Sequence, residues 1–191
     1  MPAARPDAIA LLEADHRRME ALFADYGAAR GSGRKRLLIV DICTELTLHA
    51  ILEEEVLIPV CRGRLEPSVL DDLDEDLDLT AGLVGDMLGW GPDDPLFDGR
   101  VQRLRAHVLQ HIREEESPDG LFARIRRSGI DLVKLGDRLL ARRQVLAGEM
   151  ADEGRLSPEP RSFRPDHENE DSSGDEAGLG GTTPRESRTL M

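Results

Sequence analysis

An all-α fold is predicted: an up-down-up-down four-helix bundle with an additional C-terminal helix and a disordered acidic tail. Three observations carry it. Apolar residues recur at helical spacing in long stretches as far as Leu146. Glycine and proline signals separate those stretches into segments of twenty-odd residues with short or moderate connections. Aromatic residues make up only 3% of the chain and no alternating apolar pattern occurs, so no strand is expected.

The elements follow in order. Helix one begins after Pro6, with Asp7 in its first turn, and runs to about Arg30, where Gly31, Ser32 and Gly33 end it. Helix two spans roughly Arg34 to Cys61, with Pro59 expected to kink or shorten its last turn. Pro67 and Ser68 open helix three, which reaches about Leu88 before Gly89, Gly91 and Pro92. Helix four covers about Asp98 to Glu116 and stops at Ser117-Pro118. A short helix near Leu121–Arg127 and a last one from about Ile130 to Leu146 complete the domain. No internal repeat of solenoid length is found.

Composition changes near residue 150. Residues 151–191 hold few large apolar side chains and carry ten acidic against five basic residues, so they cannot offset the entropy of ordering. The domain is therefore expected over residues 1–150 and a disordered acidic and polar tail over 151–191.

The totals narrow the function. A net charge of −13 opposes nucleic-acid binding, which needs a basic surface to displace counterions from phosphates. Arg34-Lys35-Arg36 and Arg142-Arg143 are read as solvated faces. No apolar run approaches the ~18 residues of a membrane span, and acidic residues at 7, 13 and 15 break any secretory-signal pattern. A cytoplasmic location follows as an expectation, with Cys43 and Cys61 as buried or partly buried thiols. Neither a glycine-rich nucleotide fingerprint nor a P-loop occurs, and no nucleophile constellation is supported.

The functional signal lies in polar residues that interrupt the apolar stripes. His16 falls among Leu12, Met19, Phe23 and Tyr26 on helix one. His49 and Glu53 fall among Ile42, Leu46, Val56 and Val60 on helix two. His111 and Glu115 continue the seam of Val101, Leu104 and Val108 on helix four. Each His/Glu pair has i, i+4 spacing, which stacks both side chains on one helical face. Taken singly, each is as readily an ordinary boundary residue or exposed pair; jointly, five in register point to a metal. Burying unpaired carboxylates costs several kcal/mol, and a cation offsets that cost while accepting imidazole lone pairs. Imidazole with carboxylate suits iron, manganese or zinc.

These residues, in the segments DHRRME (15–20), LTLHAILEEEVLIPV (46–60) and HIREEE (111–116), resemble the hemerythrin-like, or HHE cation-binding, family over about residues 7–147. The resemblance implies that His16, His49, Glu53, His111 and Glu115 are ligands of iron. It further implies two irons, bridged by the two carboxylates, one held mainly by His16 and His49 and the other mainly by His111. The family places at least one histidine on helix three, where this chain has LDEDLDLTAGLV (73–84), with Leu77 at the replaced position. Either His107, one turn before His111, or a helix-three carboxylate, Asp74 or Asp78, is expected to supply the missing donor. Without such a repair, one ion binds tightly and the second weakly or not at all. Glu54 and Glu114 point off the seam. The implied roles are interaction with dioxygen, nitric oxide or peroxide, weak peroxide breakdown, or a stress response. The alternatives are an iron- or redox-sensing module, with the tail or last helix contacting a protein partner, and a degenerate bundle with a mononuclear or empty site.

Overall fold

The computed structural model describes residues 5–152. Their helices are α1 (Ala8–Ala28), α2 (Ser32–Leu52), a π turn (Glu53–Leu57), α3 (Ile58–Cys61), α4 (Pro67–Leu88), α5 (Phe97–Glu115), α6 (Leu121–Arg127) and α7 (Leu132–Asp152). No strand occurs among the described residues. The tail expected to be disordered lies outside them.

Four helical stretches close a ring: α1 packs on α2, α2 on α4, α4 on α5, and α5 back on α1. Short connections after ~20-residue helices force neighbours to run antiparallel. The additional helix, α7, lies outside this ring against α1, α2 and the π turn.

Local chemistry explains the helix ends. Asp7 is the N-cap of α1 rather than part of its first turn, and its carboxylate accepts a bond from the Ala10 N–H at 2.8 Å. The second helix does not simply kink at Pro59. Pro59 has no N–H to offer the carbonyl four residues back, and the chain absorbs the defect as a π turn in which the Ile58 N–H reaches the Glu53 carbonyl. That wider turn begins at Glu53, one of the seam carboxylates.

The core is two apolar clusters with a polar layer between them. One gathers Ile9, Leu12, Leu52, Leu57, Leu73, Leu77, Phe122 and Leu139. The other gathers Met19, Phe23, Ile42, Leu46, Val84, Phe97, Leu104 and Val108. Along α1 the change falls between Leu12 and Met19, where His16 stands. On α4 it falls between Leu77 and Leu83, around Thr80. Cys43 and Cys61 are free and buried, and burial pushes their thiols up to about 12 and about 11, so neither is a ready nucleophile.

Candidate metal centre

The polar layer collects five of the six histidines and carboxylates that the sequence singles out. His16 (0% exposed), His49, Glu53 (0%), His111 and Glu115 are all buried. One donor atom from each of His16, His49, His111 and Glu115 fits within a mutual distance of 4.8 Å. His16 Nε2 is 3.3 Å from His49 Nε2 and 3.3 Å from Glu115 Oε2. His111 Nε2 is 3.4 Å from Glu115 Oε2. Glu53 Oε2 flanks the group at 3.4 Å from His49 Nε2 and 3.9 Å from His111 Nε2.

A carboxylate stands on the opposite side of each imidazole. His16 Nδ1 donates to Glu116 Oε1 at 2.7 Å, and His111 Nδ1 donates to Asp76 Oδ2 at 2.6 Å. His49 Nδ1 faces Asp15 Oδ2 at 3.7 Å. A carboxylate can only accept, so Nδ1 keeps its proton and Nε2 of His16 and of His111 is the atom turned into the cluster, available to a metal once it carries no proton. Arginines anchor two of these carboxylates in turn: Arg17 bonds Glu116, and Arg143 of α7 bonds Asp15. Phe122 stacks on His16 with ring centroids 5.4 Å apart, which fixes the imidazole plane. The turn that delivers Phe122 needs glycine, because a Cβ at Gly120 would stand 2.1 Å from the Glu114 carbonyl oxygen.

The electrostatics are those of a site built for a cation. Both oxygens of Glu53, both oxygens of Glu115 and Nδ1 of His49 are buried with no hydrogen-bond partner among the described residues. Burial, reinforced by the charge of Glu115, holds the Glu53 carboxyl well above the usual range. Burial also acts to raise Glu115, but His111, His16 and His49 together outweigh it and the carboxyl sits below its ordinary value. For His111, burial is outweighed by Glu115, Asp76 and Glu53, and its imidazole is pushed up to about 10. His49 goes the other way, down to about 4, because burial outweighs the Asp15 carboxylate behind it. Protons thus do part of what an ion would do, and four carboxylate oxygens remain orphaned (an arrangement costly to keep empty).

Neighbouring donors stand at the spacing of ligands around a cation. With metal–ligand bonds of about 2.0–2.2 Å, neighbouring donors lie roughly 3–3.5 Å apart and opposed ones roughly 4–4.4 Å. The distances within the cluster, 3.3 and 3.4 Å, fall in the first range. Imidazole and carboxylate suit iron, manganese or zinc, and no thiolate joins the group.

Three sequence expectations need correction. His107 does not join the cluster. Its Nε2–H instead donates to Thr80 Oγ1 at 2.7 Å, since the Thr80 hydroxyl already donates to the Asp76 carbonyl. The helix-three carboxylate that faces the layer is Asp76, not Asp74 or Asp78, which turn toward the α2–α4 cleft. Arg142 and Arg143 are not a solvated face: they pair with Glu55 and Asp15. Leu77 lines the space beside His49 and His111. Asp15, Asp76 and Glu116 escaped sequence reasoning because carboxylates in a chain this acidic carry no distinguishing spacing. Adjacency to a seam histidine marks Asp15 alone.

A buried layer of histidine and glutamate spanning a four-helix bundle defines a class, the helical cation-binding proteins. Within that class, the model of the hemerythrin HHE cation-binding domain matches residues 7–123, and the chain belongs to this family. A DNA nickase from Nostoc sp. (strain PCC 7120 / SAG 25.82 / UTEX 2576) is 30% identical to it over 116 residues. The alignment covers 61% of this chain and 32% of that protein, so the chain spans about a third of its relative's length. No solved structure matches the chain. No helix among the described residues is long and apolar enough to cross a membrane.

Proposed function

We propose that the protein is a non-haem metal protein that holds one ion tightly, iron by its family resemblance, for interaction with dioxygen, nitric oxide or peroxide. One observation carries the reading: three imidazoles from α1, α2 and α5 converge with Glu115 on a single point beside orphaned carboxylate oxygens. The resemblance implies two irons. The donor set supports one well-ligated ion better, because α4 presents Leu73 and Leu77 to the core and neither offers a nitrogen. His16, His49, His111 and Glu115 would hold the ion, with Glu53 alongside to complete its charge balance. When bound, the ion supplies a Lewis-acidic, redox-active position for a small ligand. The rest falls to the chain. Asp76 and Glu116 orient the imidazoles of His111 and His16, while Met19, Leu46 and Val108 wall off bulk water.

We also infer a role without turnover, as a sensor in the cytoplasm. Arg143 and Arg142 tie α7, which lies beyond the matched family region, to Asp15 and to the π turn at Glu55. Metal occupancy would then set the order of α7. Nucleic-acid binding is disfavoured by the net charge of −13.

The test is metal content per chain after expression with added iron, with the optical spectrum and with melting temperature in the same samples. About one iron per chain, lost in His49→Leu, supports the reading; about two restores the di-iron expectation, and none with unchanged melting points to an empty bundle. Peroxide turnover by the loaded protein separates the reactive role from the sensing one.

A further inference from the structure

A cleft of about 280 Å³ lies between α2 and α4, with Arg62 and Asp78 exposed at its rim and Leu46, Leu77 and Val84 buried at its base. Below it, a void of about 10 Å³ touches His49 and His111. Leu46, Ala50, Leu77 and Thr80 line both spaces, so the wall between them is one layer of side chains. A second cleft of about 160 Å³, between α1 and α7, shares no lining residue with the void.

We propose that the α2–α4 cleft is the entrance through which small neutral molecules reach the metal centre, with the Leu77 side chain as its gate. The proposal rests on reading the histidine layer as a metal centre. Size and composition both support it. The void has room for at most about one water-sized molecule, which excludes an organic substrate. Ala50 and Ala81 leave the cleft open where larger side chains would close it. Leu77 is the one long flexible side chain of α4 in the shared wall, and a rotamer change there joins the two spaces without moving backbone. Charge then selects what enters. Asp74 and Asp78 line the mouth with one guanidinium, Arg62, so anions are repelled there while nitric oxide, dioxygen and hydrogen peroxide are not.

The experiment is stopped-flow binding of nitric oxide and of azide to the iron-loaded full chain, with metal content measured on every sample first. Ala81→Trp, which fills the cleft, should slow nitric oxide association by about fivefold or more, and Leu77→Ala should speed it several-fold. Leu140→Trp, which fills the α1–α7 cleft, should leave it within about twofold of the unaltered chain. Asp74→Asn with Asp78→Asn should speed azide at low ionic strength and leave nitric oxide unchanged. Slowing by Leu140→Trp but not by Ala81→Trp overturns the proposal. A readout free of metal accompanies these: paramagnetic relaxation of methyl groups by dissolved dioxygen in the metal-free chain. Stronger relaxation of Leu46, Leu77 and Val84 than of Leu139 and Leu140 supports the entrance, and the reverse order overturns it. Failure to load iron would sink the metal reading alone, and the relaxation data would still decide the cleft.

Discussion

Replacing Asp76 with alanine tests whether the centre depends on residues behind its ligands. The Asp76 carboxylate receives the Nδ1–H of His111 at 2.6 Å, so the substitution strips a charge-assisted bond and frees the ring to rotate. Losing such an outer partner typically weakens metal binding by about 10–100-fold, or roughly 1.4–2.7 kcal/mol. Proton competition works against that loss. His111 holds its proton up to about 10 in the metal-free chain, against the pull of burial, because Glu115, Asp76 and Glu53 surround it. Without Asp76 the imidazole gives its proton up more easily, which helps the metal at low pH. The deficit should therefore widen as pH rises from 6 toward 9. The assay is chelator competition with zinc at pH 6, 7.5 and 9, with Asp74→Ala as a control on the same helix. Affinity for the Asp76→Ala protein within about twofold of the unaltered chain at pH 9 would refute the reasoning. Linkage provides an independent check. A histidine whose folded pKa is raised stabilises the fold fully below its unfolded pKa of about 6.5 and loses that contribution as pH climbs through about 10. Asp76→Ala should thus cost the metal-free chain more stability at pH 6 than near pH 10.

Further outcomes follow from the same geometry. Leu77→His should raise the metal content toward two ions per chain, measured by elemental analysis, because it returns a nitrogen donor beside His49 and His111. Arg143→Met should weaken metal binding by roughly three- to tenfold through the loosened Asp15 and His49, and Arg143→Lys should recover part of it. Metal binding at pH 7 should release at least one proton per ion, read from the buffer dependence of the calorimetric enthalpy, because His111 holds a proton in the metal-free chain. Gly120→Ala should destabilise the fold by about 1–3 kcal/mol in a thermal melt, since its Cβ would strike the Glu114 carbonyl.

Much of this architecture is written in local pattern. The short helix at Leu121–Arg127 and the third helix from Pro67 to Leu88 are found where turn residues bracket them. His16, His49, Glu53, His111 and Glu115 are legible because each breaks an apolar stripe at helical spacing. The partners of their imidazoles are not legible, because they come from other helices. Asp76 is one of several acids on α4, and only the packing of α4 on α5 singles it out for His111. The misplacement of His107 has a similar origin. Residues 107 and 111 lie one turn apart, yet Thr80 captures the first and Asp76 the second. Pro59 is expected to kink or shorten the last turn of its helix, whereas the chain passes through a π turn ahead of it, in which the Ile58 N–H reaches the Glu53 carbonyl.

The histidine layer divides the bundle's apolar interior, and that division bears on cooperativity. The packing of Ile9, Leu52 and Phe122 on one side has little direct contact with that of Phe23, Leu46 and Phe97 on the other. In the empty protein the halves are joined through helix backbones and through a polar layer whose carboxylate oxygens are unpaired. Each half can then open in its own free-energy range, visible as two classes of hydrogen-exchange protection. An ion bonded to α1, α2 and α5 at once would rivet the halves into one unfolding unit. Loading would merge the two classes, so that metal sets how many pieces the bundle comes apart in as well as how stable it is.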